Sequence, residues 1–281
     1  MRSFSQKTKA LSLPEGRIEM LYARGDESYA DSPRTTKIYV VAGYVASAGQ
    51  WWEFDRRWRK SMRALGIETL GCHASRCATG AKPYHDLTPH KRHEIQHRLI
   101  QDIADSGIFG CVAVSDLDGW RSRRELFSKF LGKDQKKFNE PHLLAHRQCV
   151  LFMFHKTESA TKEPIAFVFD QNTDAGGRAR EWYNVTIRSS ALPAELRARM
   201  GPYGEAERMK VLGLQAADIL AYSAFRHFSG RPSWQWNELI EAKRVAAMLF
   251  DETYWQSLED DLRFAHGTDA NGEDGAPVAA V

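Results

Sequence analysis

The segments IEMLYARG (residues 18–25) and KIYVVAGYVA (residues 37–46) indicate the architecture of this chain, and a polar stretch, residues 29–36, lies between them. Both segments are rich in β-branched and aromatic residues, which favour strands. Ser32 and Pro33 in the polar stretch are typical of a turn. The pattern therefore predicts two antiparallel strands joined as a hairpin.

Helical periodicity and short apolar runs alternate after this hairpin. The predicted helices cover residues 48–65, 88–105, 134–159, 176–189 and 214–228. The further predicted strands cover residues 67–72, 108–114 and 165–169. A hairpin followed by alternating helices and strands indicates an α/β protein with a mixed sheet flanked by helices.

Composition is typical of a soluble globular protein. Of the 281 residues, 43% are hydrophobic and 27% are charged, so the chain can bury a sizeable core. No apolar run approaches the roughly 20 residues needed to cross a membrane, and the N-terminus lacks the apolar stretch of a secretory signal. We therefore expect a cytoplasmic protein with no membrane contact. The net charge of +3 permits contact with nucleic acid without demanding it.

The chain is expected to fold as one domain over residues 18–266. Residues 1–17 are polar, and residues 267–281 are rich in Gly, Ala, Asp and Glu without periodicity. Both end segments are therefore predicted to be disordered. The sequence leaves the oligomeric state open.

Three acidic residues occupy positions that suggest a site. Asp218 falls on the apolar stripe of the helix predicted over residues 214–228, where an ionised carboxylate is costly without a cation or hydrogen-bond donors. Asp170 follows a buried strand and Asp26 ends the first strand, and sites in α/β sheets gather at the carboxyl ends of strands. The alternatives are a structural pairing of Asp218 with an arginine or with backbone amides, and turn-forming roles for Asp26 and Asp170.

The three acids are more informative together than singly. If they converge, the carboxylates repel one another unless a proton or a divalent cation intervenes. Oxygen ligands favour Mg²⁺ or Mn²⁺ over Zn²⁺. The combination therefore indicates a candidate metal site.

Four short motifs carry a resemblance to a known family: Gly25-Asp26-Glu27-Ser28, His73-Ala74, Phe169-Asp170 and Gln215-Ala216-Ala217-Asp218. In this order, spread from about residue 20 to 228, they resemble the family of domain of unknown function 3800, which is widespread in bacteria and mobile elements. The resemblance implies a ribonuclease H-like α/β fold. The chain departs from the family pattern at Arg24 and Gly25, before the first acid, and at Tyr29, after the serine.

The resemblance also implies roles for individual residues, by analogy with ribonuclease H-like nucleases. The implied metal ligands, which would hold one or two Mg²⁺ or Mn²⁺ ions and take part in catalysis, are Asp26, Asp170 and Asp218. Glu27 and Gln215 would lie close to these ligands. Glu27 would be one of the catalytic residues and Gln215 one of the substrate-binding residues. His73 would be a further ligand or a proton shuttle.

Basic residues cluster between the strand predicted over residues 108–114 and the long helix that follows it. They are Arg121, Arg123, Arg124, Lys129, Lys133, Lys136 and Lys137. Aromatic residues are interleaved with them, and basic side chains bind phosphates while exposed aromatic rings stack on unpaired bases. This cluster is therefore expected to bind the substrate. The alternative is a solvated surface whose apolar side is buried.

The sequence thus predicts a metal-dependent nuclease, a hydrolase of phosphodiester bonds in DNA or RNA. The alternative is a non-catalytic module that binds nucleic acid or recruits a protein partner, with acids that are structural remnants. A third hypothesis is a metal-dependent hydrolase of nucleotides or other phosphate esters.

Overall fold

The structure is a computed structural model that describes residues 20–29, 37–130, 140–158, 161–171, 176–188 and 193–265. Six strands within these residues form one sheet in the order β5-β4-β1-β2-β3-β6. They are β1 (Leu21–Tyr29), β2 (Ile38–Ser47), β3 (Phe109–Asp116), β4 (Ile165–Asp170), β5 (Met200–Ala206) and β6 (Val245–Phe250). β2 is antiparallel to both of its neighbours, β1 and β3, whereas the other pairs are parallel.

Helices pack on both faces of this sheet. In the described residues they are α1 (Ala48–Leu65), α2 (Ala74–Thr79), α3 (Pro89–Ser106), α4 (Leu117–Phe130), α5 (Pro141–Thr157), α6 (Gly176–Arg188), α7 (Ala194–Arg199), α8 (Leu212–Phe228), α9 (Trp234–Glu241) and α10 (Glu252–Ala265). The predicted class, a mixed sheet with an antiparallel N-terminal hairpin and flanking helices, is confirmed. None of the helices in these described segments is long and apolar enough to span a membrane.

Helix α1 begins and ends where its sequence predicts. The side chain of Ser47 accepts a hydrogen bond from the backbone of Gln50, and the Gln50 side chain accepts one from the backbone of Ser47, which satisfies two of the free N–H groups at the helix start. Gly66 follows the last turn with a φ of 71°, a left-handed conformation that glycine adopts without strain. Local signals therefore suffice to place this helix.

The sheet separates two hydrophobic cores. Ala42 of β2 contributes to the core formed with α1, α2, α3, α8 and α9, and its neighbour Val41 contributes to the core formed with α4, α5, α6 and α10. Successive side chains of a strand point to opposite faces of the sheet. We name the side of Ala42 face A and the side of Val41 face B.

Three parts of the sheet differ from the prediction, and one of them is strand β6 (Val245–Phe250), which was not predicted. The strand expected over residues 67–72 is wrong: the N–H groups of Leu70 and Gly71 donate to the carbonyl of Ile67, and Gly71 has a φ of 67°, so this run forms turns. Strand β5 was not predicted, because its sequence MGPYGEA contains two glycines and a proline, which are depleted in strands. Its position at the edge of the sheet tolerates the proline.

The predicted disordered ends, residues 1–17 and 267–281, lie outside the described residues. The polar stretch of the hairpin, residues 30–36, lies outside them as well.

Candidate functional site

Two acidic side chains lie side by side on neighbouring strands. Asp170 is the last residue of β4, whereas Asp26 lies within β1, which pairs with β2 as far as Tyr29 and so continues past its predicted end. Strands β1 and β4 are parallel and Gly25 pairs with Phe169, which places Asp26 next to Asp170. Asp26 pairs with Ala42 in the neighbouring strand and therefore points to face A; Asp170 does the same, because Phe169 before it belongs to the core of face B. Asp26 is 3% exposed and Asp170 is fully buried.

The third acid, Asp218, reaches the same point from helix α8. This helix packs across β1 and β2 on face A, and Asp218 is buried on its core side. The backbone N–H of Ala74 donates a hydrogen bond of 2.6 Å to Asp218 Oδ2. Nδ1 of His73 lies 3.2 Å from the same oxygen. The structure thus brings Asp26, Asp170, Asp218 and His73 together, and we call the three acids the carboxylate cluster.

The guanidinium of Arg208 lies among the three carboxylates. Its Nε is 2.6 Å from Oδ2 of Asp170, its Nη1 is 3.5 Å from Oδ2 of Asp218, and its Nη2 is 3.7 Å from Oδ2 of Asp26. Arg208 belongs to the turn between β5 and α8. One cation of the chain therefore faces all three acids, and the structural pairing weighed for Asp218 is present in this arrangement.

Burial and neighbouring charges shift the pKa values of Asp26 and Asp218 in opposite directions. Burial raises the pKa of Asp26 well above its ordinary value, and repulsion from the neighbouring carboxylates adds to the effect more than Arg208 offsets it. Burial acts in the same direction on Asp218, but the hydrogen bond and charge of His73, together with Arg208, hold the pKa of Asp218 below its ordinary value. For Arg208, burial lowers the pKa, but the carboxylates outweigh burial and raise it. Asp26 therefore keeps a proton more readily than Asp218.

Gln215 is buried and holds neighbouring segments of the chain together. This corrects the expectation that it binds substrate. The side chain is 0% exposed. Its Oε1 accepts hydrogen bonds from the backbone N–H of Cys72 at 2.8 Å and from Nε1 of Trp58 at 3.2 Å. Its Nε2 donates to the carbonyl of Arg208 at 3.2 Å. Gln215 therefore fixes the segment before α2, and the turn that carries Arg208, to helix α8.

Glu27 lies outside the cluster, which corrects the role expected from its position next to Asp26. It pairs with Val41, a residue of the core on face B. The hydroxyl of Tyr39 donates a hydrogen bond to its carboxylate on that side. Because neighbours along a strand point to opposite faces, Glu27 and Asp26 do not share a site.

Packing accounts for the two residues before the first acid. Arg24 forms an ion pair of 3.0 Å with Asp55, and its guanidinium lies 4.0 Å from the ring centroid of Trp51, so it belongs to the contact between β1 and α1. At Gly25, a Cβ would lie 2.2 Å from the ring of Phe169. Both residues therefore serve the packing around β1.

The arginines expected to bind substrate lie on face B, away from the carboxylate cluster. They are the α4 residues Arg121, Arg123 and Arg124. Arg123 is largely covered and forms ion pairs of 2.5 Å with Glu252 and 2.9 Å with Glu259 of α10. The helix turns its apolar side toward the core of face B. Arg123 joins α4 to α10, whereas Arg121 pairs with Asp118 within α4. Lys129 of the same cluster is exposed on α4, and the other three lysines lie outside the described residues: Lys133, Lys136 and Lys137.

An exposed basic stripe lies on α1. Its members recur at helical spacing on the solvent side and are Trp52, Arg56, Arg59, Lys60 and Arg63. Trp52 is 64% exposed, and the four basic residues line an open groove of about 650 Å³. Trp58, on the buried side of the same helix, donates to Gln215, so this α1 stripe and the carboxylate cluster belong to the same face of the sheet.

Arg208 was not predicted from the sequence. A signal was available, because three buried acids require a cation and Arg208 lies in the turn directly before the helix that carries Asp218. A lone arginine in a turn is nevertheless ordinary on a protein surface. Only the convergence of the acids distinguishes this one.

The donor set of the cluster fits a hard divalent cation. Mg²⁺ and Mn²⁺ prefer carboxylate oxygens, and the buried Oδ2 of Asp26 accepts no hydrogen bond from any described residue. In the described part of the chain, however, no group of three His, Cys, Asp or Glu side chains is arranged to hold an ion, and the guanidinium of Arg208 lies among the three carboxylates. The same carboxylates therefore suit two kinds of cation, a guanidinium or a divalent ion.

No family model and no curated protein sequence matches this chain. Among solved structures, it is similar to a crystal structure of Bst-RNase HIII in complex with Mn²⁺, with 16% sequence identity and a TM-score of 0.37, over 87% of this chain and 72% of that chain. Membership of the family of domain of unknown function 3800 therefore stays a prediction. The chemistry of the site rests on the residues of this chain.

Proposed function

We propose that this protein hydrolyses phosphodiester bonds of DNA or RNA with the help of a divalent cation. The observation that carries the proposal is the convergence of three buried carboxylates, Asp26, Asp170 and Asp218, from strands β1 and β4 and helix α8. Bringing three acids to one buried point costs free energy. Such perturbed, partnered acids are typical of functional sites.

The chain supplies ligands and a group for proton transfer. Asp26, Asp170 and Asp218 are the proposed ligands of Mg²⁺ or Mn²⁺. When bound, such an ion activates a water molecule and neutralises charge on the scissile phosphate. His73 is proposed to move a proton: Nδ1 faces Asp218, and the side chain is 28% exposed. A proton held on Nδ1 by the carboxylate leaves the lone pair on Nε2, where the ring can accept a proton from water.

The α1 stripe supports nucleic acid as the substrate class. Its four basic residues line one groove, and an exposed tryptophan lies on the same stripe. Lysine and arginine bind backbone phosphates, and an exposed indole stacks on unpaired bases. The stripe therefore replaces α4 as the proposed phosphate-binding surface.

A second function is favoured by the position of Arg208. Its guanidinium already compensates the carboxylates within the chain, so the cluster does not depend on a metal for its charge balance. In this alternative the acids are structural, and the protein binds nucleic acid through the α1 stripe without hydrolysing it.

Cleavage assays with active-site variants test the first proposal. Purified wild-type protein is incubated with single-stranded and double-stranded DNA, RNA and DNA–RNA hybrids in Mn²⁺, in Mg²⁺ and in EDTA. We expect cleavage that requires the metal and falls by about 100-fold or more in Asp170→Asn and in Asp218→Asn, because each variant removes a charged ligand.

Asp118→Asn is the matched control. Asp118 is half-exposed on α4 and pairs with Arg121 on face B, so this variant should cleave like the wild type. Circular dichroism checks that each variant is folded. Cleavage that survives in both cluster variants would overturn the proposed mechanism. Salt-sensitive binding without cleavage, unchanged by EDTA, would establish the second function instead.

A further inference from the structure

Hydrogen bonds fix the backbone of the turn that carries Arg208. The carbonyl of Arg208 accepts a hydrogen bond from the buried amide of Gln215. Within the same turn, the N–H groups of Lys210 and Val211 both donate to the carbonyl of Glu207. The backbone that carries the guanidinium is therefore anchored to helix α8, close to Asp218. The side chain is only 21% exposed.

The contacts of the guanidinium with the three acids are uneven. Nε lies 2.6 Å from Oδ2 of Asp170, which is a close ion pair. The contacts to Asp218 and Asp26 are 3.5 and 3.7 Å, beyond the range of a good hydrogen bond. The guanidinium therefore forms a close ion pair with one carboxylate and compensates the other two at longer range.

A divalent ion makes different demands on the same carboxylates. Mg²⁺ takes oxygen ligands at about 2.0–2.1 Å in a compact octahedral shell. A guanidinium centred among Asp26, Asp170 and Asp218 occupies the space into which those oxygens would have to move. Two cations at this point would also repel each other. The guanidinium and the ion therefore compete for the carboxylate cluster.

We infer that Arg208 is an internal counter-ion that occupies the carboxylate cluster when no divalent ion is bound, and that it leaves the cluster when one binds. This inference rests on the proposed function and concerns the regulation of the same site. Its consequence is that Arg208 weakens metal binding and stabilises the metal-free protein. The exposed fraction of the side chain gives the guanidinium a route toward solvent.

Metal titration and thermal unfolding test the inference without an activity assay. Mn²⁺ is titrated calorimetrically into metal-free wild-type protein and into Arg208→Gln, and both are melted in EDTA and in Mn²⁺. We expect Arg208→Gln to bind Mn²⁺ about tenfold more tightly, the effect of removing one charge interaction worth about one pKa unit. It should melt below the wild type in EDTA and regain more thermal stability from Mn²⁺.

Lys210→Gln is the matched control, because Lys210 lies in the same turn but is exposed and pairs with Glu207. It should match the wild type in both measurements. If Arg208→Gln does not fold, Arg208→Lys keeps the charge but loses the planar fork. That variant should bind Mn²⁺ several-fold more tightly than the wild type.

The outcomes separate this inference from the proposed function. Wild-type binding of Mn²⁺ that is lost in Asp170→Asn but unchanged or weaker in the Arg208 variants would overturn the counter-ion role and leave the metal site standing. Folded wild type and Arg208→Gln that both fail to bind Mn²⁺ would overturn the inference together with the metal site.

Discussion

The backbone N–H of Ala74 donates a hydrogen bond of 2.6 Å to Oδ2 of Asp218, which joins residues 144 positions apart in the chain. Gln215, one turn earlier on the same helix, accepts a hydrogen bond from the backbone N–H of Cys72. Helix α8 therefore positions both the segment that carries His73 and the turn that carries Arg208. One helix builds most of the surroundings of the carboxylate cluster.

Gln215→Leu should destabilise the protein by roughly 2–4 kcal/mol, because the buried N–H groups of Cys72 and Trp58 lose their acceptor. Urea denaturation measures this difference. Gln101→Leu, at an exposed position of α3, is the matched control and should change stability by less than about 0.5 kcal/mol. Equal effects of the two substitutions would show that the buried hydrogen bonds of Gln215 add nothing to stability.

Gly25→Ala should destabilise the protein by about 1–3 kcal/mol, since the new methyl group meets the ring of Phe169. That ring cannot retreat freely, because it packs between His146 and Tyr203. Thermal or urea unfolding gives the measurement. The control is Gly49→Ala in α1, where no atom lies within 4 Å of the added Cβ; there we expect a gain of roughly 0.5–1 kcal/mol from helix propensity. A Gly25→Ala protein as stable as the wild type would contradict the close packing of β1 and β4.

Stability should fall in mild acid because of His146. Burial lowers the pKa of this residue to about 3, whereas an unfolded histidine titrates near 6.5. The unfolded state therefore binds the extra proton between these values, so the contribution of His146 to stability is present above pH 6.5 and is lost as the pH falls. Between pH 7.5 and 5 the loss amounts to about 2 kcal/mol.

His146→Leu isolates this effect. Urea unfolding at several pH values should show that the wild type loses about 2 kcal/mol more than the variant between pH 7.5 and 5. His90→Leu, at an exposed position of α3, should keep the wild-type pH dependence. Parallel pH profiles of wild type and His146→Leu would show that the ring is not buried in its neutral form.

The α1 stripe should determine how strongly salt weakens nucleic-acid binding. The double variant Arg59→Gln/Lys60→Gln removes two phosphate contacts, so the slope of log affinity against log salt for a single-stranded oligonucleotide should become shallower by about 1.4, at roughly 0.7 per contact. Fluorescence anisotropy at several salt concentrations, in EDTA, gives the slope without cleavage.

The matched control for the stripe is Lys162→Gln/Arg188→Gln. Both residues are exposed, and Arg188 ends helix α6 on face B. This variant should keep the wild-type slope. The same slope for the α1 variant and the wild type would mean that nucleic acid binds elsewhere or not at all.

Much of the fold could be predicted because it depends on local patterns. Helix α1 follows from apolar spacing and from its caps at Ser47 and Gly66, and the hairpin follows from two strong strand patterns. Strand β5 could not be predicted, since its glycines and proline carry no strand signal and only pairing with β4 gives it an extended structure. The strand predicted over residues 67–72 was wrong for the converse reason. The apolar residues of this segment pack against the core of face A, and the segment pairs with none of the described strands.

For the site, local sequence patterns sufficed to predict that Asp170 closes a strand and that Asp218 lies on the buried side of a helix, because strand ends and helical stripes depend on short-range periodicity. Two facts came from tertiary contacts. Pairing with β2 extends β1 as far as Tyr29, so that Glu27 faces away from Asp26, and Arg208 compensates the acids. Those facts depend on which face of the sheet each strand presents to which helix. That choice is made by contacts between residues far apart in the chain, and no local pattern encodes it.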